Sequence, residues 1–116
     1  RNFKQEKEFI IRMILPIKSK WFYMILSGDK KEEYREIKPY YTIRFKKMFE
    51  MYPYSYIPTG FDKQFVEFRN GYGNNRPSFV AVCSLSIKMG KEEWGAEKGK
   101  EYYVLYIHEI LKRNNC

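Results

Sequence analysis

Apolar and polar residues alternate strictly in the second half of the chain and recur at helical intervals in part of the first. Phe79, Ala81, Cys83, Leu85 and Ile87 occupy every second position, the period of a strand with one face buried. Residues 64–69 set Phe65, Glu67 and Arg69 against Val66 and Phe68, and residues 102–110 are rich in aromatic and β-branched side chains. Both stretches predict strands. Residues 9–15, dominated by isoleucine and bounded by Pro16, predict a buried first strand. From Ser19 to Ser27 the period changes. Trp21, Met24 and Ile25 recur at helical spacing, Phe22 and Leu26 widen the stripe, Ser19 fits an N-cap and Gly28 a left-handed stop.

The remaining segments fill the gaps between these elements. Residues 31–37 predict extended chain, and Pro39 either ends it or opens a second helix as its first residue. Residues 40–51 have the composition of a basic helix, with Ile43, Met48 and Phe49 available for packing. Residues 52–60 read as a loop, and residues 70–77 as a turn with Gly71, Gly73 and Asn74-Asn75 available for positive φ. Residues 89–100 form a polar loop around Trp94, and residues 1–8 a charged, frayed arm. No repeat or linker interrupts the chain, so residues 1–116 are expected to form one domain. Several strands with two helices predict an α+β, β-rich fold, a small β-barrel or curled sheet with flanking helices.

Composition narrows the partners. The formal net charge is +8, concentrated in the first half, which favours polyanions such as RNA or nucleotides. The competing reading is basic surface that only aids solubility. The chain has two cysteines and one histidine, too few for a structural zinc site or a disulfide framework, and Cys83 falls within an apolar strand. No apolar run reaches the roughly 20 residues that span a bilayer, and the charges of the first eight residues do not fit a signal peptide. The expected compartment is the cytoplasm, and the expected protein a monomer without membrane attachment, metal or cofactor.

One stretch carries candidate chemistry: Gly28-Asp29-Lys30-Lys31-Glu32-Glu33-Tyr34-Arg35. On a strand, Glu33 and Arg35 share a face, and a carboxylate facing inward is costly unless paired or solvated. A polar pocket is the natural expectation. Lys30, just beyond the helix stop, would offer an ammonium to a phosphate or carbonyl oxygen, or act as a base if its pKa were lowered. Arg35 would grip a phosphate or base edge, and Glu33 would accept from an exocyclic amine. The plainer alternatives are a solvated lysine and a structural Glu33–Arg35 ion pair.

This stretch, with Leu15-Pro16-Ile17-Lys18, Trp21-Phe22, Pro39-Tyr40-Tyr41, Phe68-Arg69-Asn70-Gly71-Tyr72, Glu93-Trp94-Gly95-Ala96 and Tyr102-Tyr103-Val104, resembles the ASCH domain of the PUA-like superfamily. The blocks resemble the small stand-alone ASCH proteins of bacteria and their phages, and the likeness covers roughly residues 9–111. It implies a PUA-like barrel with a cleft lined by the signature residues, and binding of RNA or a nucleotide. One ASCH branch hydrolyses the acetyl amide of N4-acetylcytidine, and others are described as ribonucleases. The amidohydrolase branch has a threonine where this chain has Glu33, and a further carboxylate late in the chain.

Three hypotheses follow. The first is an RNA- or nucleotide-binding module using Lys30, Glu33 and Arg35, with Arg69, Asn70, Tyr72 and Trp21 as further ligand contacts. The second is a metal-independent hydrolase of modified nucleosides or RNA, with Lys30 and Glu33 catalytic. The third is a phage or host interaction module with a vestigial cleft. Plainer structural readings stand beside these: Trp21 as core, Asn70 as the cap of an ordinary hairpin turn, Trp94 as a plug for the barrel end rather than a stacking lid, and His108 as a structural histidine. Binding leads because Glu33 departs from the hydrolase pattern.

Overall fold

The long alternating run becomes the middle of a sheet. β4 (Ser78–Met89) pairs antiparallel with both β3 (Lys63–Asn70) and β5 (Glu101–Asn114). The computed structural model describes residues 10–49 and 63–116. Within them the chain also forms β1 (Ile11–Ile17), α1 (Ser19–Ser27), β2 (Glu32–Arg35), α2 (Pro39–Met48) and a single 3-10 turn at Glu92–Trp94. The sheet is mixed and open, in the order β1-β3-β4-β5-β2; β1 runs parallel to β3, and the other neighbours are antiparallel. The architecture is α+β and rich in strand. Two register shifts in the β4–β5 ladder, at Val80/Ala81 and Val82/Cys83, add the local twist that bulges bring.

α1 forms where the periodicity puts it and stops at Gly28, whose φ of 88° is left-handed and whose N–H bonds to the Ile25 carbonyl. Phe22 and Ile25 are its buried residues. They join Phe45 from α2 with Phe68, Phe79, Cys83 and Leu85 from the sheet in the main core. Phe79 lies at the centre of this core, 5.1 Å from the Phe68 ring and 5.0 Å from that of Phe22. Each such phenyl contributes about 1.5–3 kcal/mol through burial. A second cluster of Tyr34, Tyr102, Val104 and Ala96, with Trp94 packed against it, lies under the loop before β5.

Several local expectations are corrected. Pro16 lies inside β1 rather than bounding it, which an edge strand tolerates because proline there leaves no ladder donor missing. Lys18, not Ser19, is the N-cap of α1, and no side chain caps it. The Ser19 hydroxyl instead meets the Asn70 amide at 3.3 Å. Pro39 opens α2. Ile43 is 65% exposed, and the helix packs through Phe45 and Met48. Gly71 and Gly73 have positive φ, whereas Asn74 and Asn75 do not. The expectations for residues 1–9 and 50–60 lie outside the described residues. Among the described residues no helix is long and apolar enough to cross a membrane.

Candidate functional site

β1 and β2 are the two edges of the sheet, and no backbone ladder joins them among the described residues. A side chain spans the gap instead. Arg35, at the end of β2, donates from Nη2 to the Pro16 carbonyl of β1 at 3.0 Å. Its Nη1 donates to the Tyr34 carbonyl at 2.7 Å and to Glu33 Oε2. The sheet is therefore curled enough to bring its two edges within reach of one guanidinium. At this seam opens a cleft of about 490 Å³, walled by Trp21, Tyr34, Tyr41, Tyr72 and Trp94, with Lys18, Glu33 and Arg35 as its charged groups.

Glu33 and Arg35 share a face of β2, as strand alternation requires, and both line the cleft. Lys30 lies behind them. It is 1% exposed, and its ammonium donates to the Trp94 carbonyl at 2.7 Å and pairs with Glu33 Oε1 at 3.2 Å. The Tyr34 and Trp21 ring centroids lie 4.8 and 5.0 Å from the same nitrogen. These contacts account for the donors of an ammonium, so Lys30 supports the cleft rather than facing it. Burial lowers its pKa from the ordinary 10.5, against the opposing pull of Glu33. The Glu33 carboxylate is thus held from both sides by cations and keeps lone pairs for a ligand. Arg35 keeps donors on Nε and Nη2.

The loop before β5 closes one wall. Trp94 is half-buried, and its indole N–H donates to the Asp29 carbonyl at 2.9 Å while its own carbonyl takes the Lys30 bond. Gly95 follows with φ of 100°; a Cβ there would lie 3.0 Å from Cζ2 of Trp21. Glycine is required by both the backbone and the ring beside it. Trp94 accordingly does more than plug the fold: it anchors the loop to the end of α1 and forms a wall of the cleft.

The other candidates divide. Trp21 and Tyr72 line the cleft, and Tyr72 is 86% exposed. Arg69 and Asn70 do not line it. Arg69 pairs with Glu67 at 2.7 Å. Asn70 is buried in the turn, where its N–H bonds to the Pro77 carbonyl and its carbonyl accepts from Arg76. His108 meets the Ser84 hydroxyl at 2.8 Å on the sheet, away from the cleft, and partial burial together with Lys63 lowers its pKa. Cys83 is sealed in the core, which raises its thiol pKa.

Sequence reasoning missed Lys18, Tyr34 and Tyr41 as cleft residues, although each stands in a block that carries the family resemblance. Among the described residues no group of three or more His, Cys, Asp or Glu side chains could hold a metal ion. Comparisons with protein-family models, curated proteins and solved structures returned no significant match.

Proposed function

We propose that the chain is an ASCH-type binding module of PUA-like, barrel-related architecture that holds RNA or a nucleotide in this basic cleft. The observation that carries the reading is a carboxylate braced by two cations on the floor of an aromatic-walled hollow. A nucleobase suits such a site. Its faces stack on Trp21, Trp94 or Tyr72, its exocyclic amine donates to Glu33, and Arg35 and Lys18 meet the phosphate or a carbonyl edge. Cytosine and adenine, which carry such amines, fit better than uracil. Lys30 holds Glu33 in place without touching the ligand. The curl that brings β1 and β2 together supports the barrel-related part of the reading.

The test follows from composition. The chain has two tryptophans, and both line the cleft. Nucleosides, nucleotides and short RNAs are titrated against intrinsic fluorescence and melting temperature. Cytidine or adenosine compounds quench and stabilise, and Tyr72→Ala weakens binding by about 1–3 kcal/mol if its ring stacks on the base. A panel without quenching or a thermal shift leaves the interaction-module reading in its place.

One observation favours a hydrolase as second reading: the buried, pKa-lowered Lys30 beside Glu33 is the pairing that proton transfer requires. In that case Glu33 exchanges protons with the ligand and Lys30 tunes it. Release of cytidine from N4-acetylcytidine, lost in Glu33→Gln, is the expected result; no turnover by the unaltered chain removes this reading.

A further inference from the structure

The cleft does not end at Tyr72. A hollow of about 340 Å³ shares Pro16, Arg35, Tyr41 and Tyr72 with it and continues along β1 to Tyr40 and Arg44 of α2. A third, of about 510 Å³, shares Met13 and Arg44 with the second and reaches Arg12 and Lys47. The three are successive parts of one groove that follows β1 from Lys18 to Arg12, a distance of roughly 20 Å at the rise of a strand.

Charge along this groove is one-sided. Lys18, Arg35, Arg44, Arg12 and Lys47 line it, and the only carboxylate among the described lining residues is Glu33, which two cations already neutralise. Aromatic surface accompanies the charge. The Arg44 guanidinium lies 3.5 Å from the Tyr40 ring centroid, and Tyr40 and Tyr72 are both exposed. A flat cation stacked on an exposed ring, repeated cations along the floor and a base-sized hollow at one end match an unpaired polynucleotide strand, whose phosphates and bases alternate. A mononucleotide would leave the α2 end of the groove unused.

We propose that the ligand is a single-stranded RNA segment several nucleotides long, with one base in the cleft and the adjoining backbone running along β1 and α2 over Arg44 and Lys47. This extends the nucleotide-binding reading above and rests on it. An acidic peptide is the competing occupant, but it offers no bases for the cleft or for Tyr40 and Tyr72.

The experiment compares CMP and AMP with labelled oligocytidylates and oligoadenylates of about four and about eight nucleotides. Unaltered protein is set against Arg44→Gln/Lys47→Gln, with Lys112→Gln, on the exposed end of β5, as control. The expected result is affinity rising with length, and a loss of about tenfold or more for the longer oligomer in the double variant. The slope of log affinity against log salt falls by about 1.4, while mononucleotide quenching stays the same. Melting temperatures of all variants exclude a folding defect, since Arg44 and Lys47 are exposed. Length-independent binding, an oligomer affinity unchanged in the double variant, or equal competition by oligoglutamate overturns the strand proposal and leaves the cleft reading standing. Absence of binding by both mononucleotides and oligomers overturns the two together.

Discussion

Glu32 and Glu33 are adjacent, equally buried at 5% exposure, and held in opposite ways. Glu32 faces away from the cleft. It accepts from the Tyr34 hydroxyl at 2.8 Å and from Lys88 at 2.7 Å, and that lysine is 53% exposed. The Tyr34 hydroxyl also accepts the Lys91 backbone N–H at 2.9 Å, so Glu32 serves as a strut between β2 and the loop before β5. Glu33 faces the cleft and is held by Lys30 and Arg35, neither of which reaches freely into water. Burial alone therefore does not mark a functional carboxylate. The partners differ: one glutamate leans on a lysine that water can replace, while the other belongs to a closed cluster that opens on the cleft.

The sharpest way to break this contrast is Glu33→Ala. It strands the Lys30 charge among aromatic rings, and a loss of about 3–5 kcal/mol is expected in urea unfolding, with ligand binding gone. Lys30→Met is expected to cost less, about 1–3 kcal/mol, because Arg35 still neutralises Glu33 through Oε2, although the Trp94 carbonyl and Glu33 Oε1 lose the donor that Lys30 supplied. If both variants cost the same, the two cations do not share the carboxylate as described.

A smaller effect appears with pH. Lys30 binds its proton less tightly folded than unfolded, so its contribution to stability grows as pH rises from its lowered value towards 10.5. Tyr34 acts in the opposite direction above its ordinary 10.0, because burial raises its folded pKa. The difference in urea midpoint between the unaltered chain and Lys30→Met, followed from pH 7 to 10, isolates the lysine and should move in favour of the unaltered chain. Least of all, Glu32→Gln keeps an acceptor for Tyr34 and loses only the charge on one side of a pair whose lysine is 53% exposed. About 0–1 kcal/mol is expected, with ligand binding unchanged. A larger loss, or a binding defect, would make Glu32 part of the site after all.

Much of the fold was legible because its signals are local. The helix over Ser19–Ser27, the stop at Gly28 and the buried alternation through Phe79, Ala81, Cys83 and Leu85 depend on neighbours a few positions away, whereas Pro39 fitted either the end of an extended stretch or the start of α2. The Glu33–Arg35 pair was legible for the same reason, since two residues on one strand face must meet. Ile43 misled because helical apolar spacing does not say which stripe of α2 meets the core. Arg69 and Asn70 do not line the cleft, because Arg69 pairs with Glu67 along β3 and Asn70 is held within the turn by Pro77 and Arg76. Trp94 was underestimated, since nothing near it in sequence reveals the lysine it binds.

What the sequence determined by itself was the set of elements, their order, and a charged β2 whose inward carboxylate had to be paired. Tertiary structure alone decided where that carboxylate sits: Trp94 reaches Lys30 across 64 positions, and Arg35 reaches Pro16 across 19. Periodicity records which face of an element avoids water. Contacts between distant elements depend on how far the whole sheet curls, and that curl is a sum of twists and bulges that no single residue encodes.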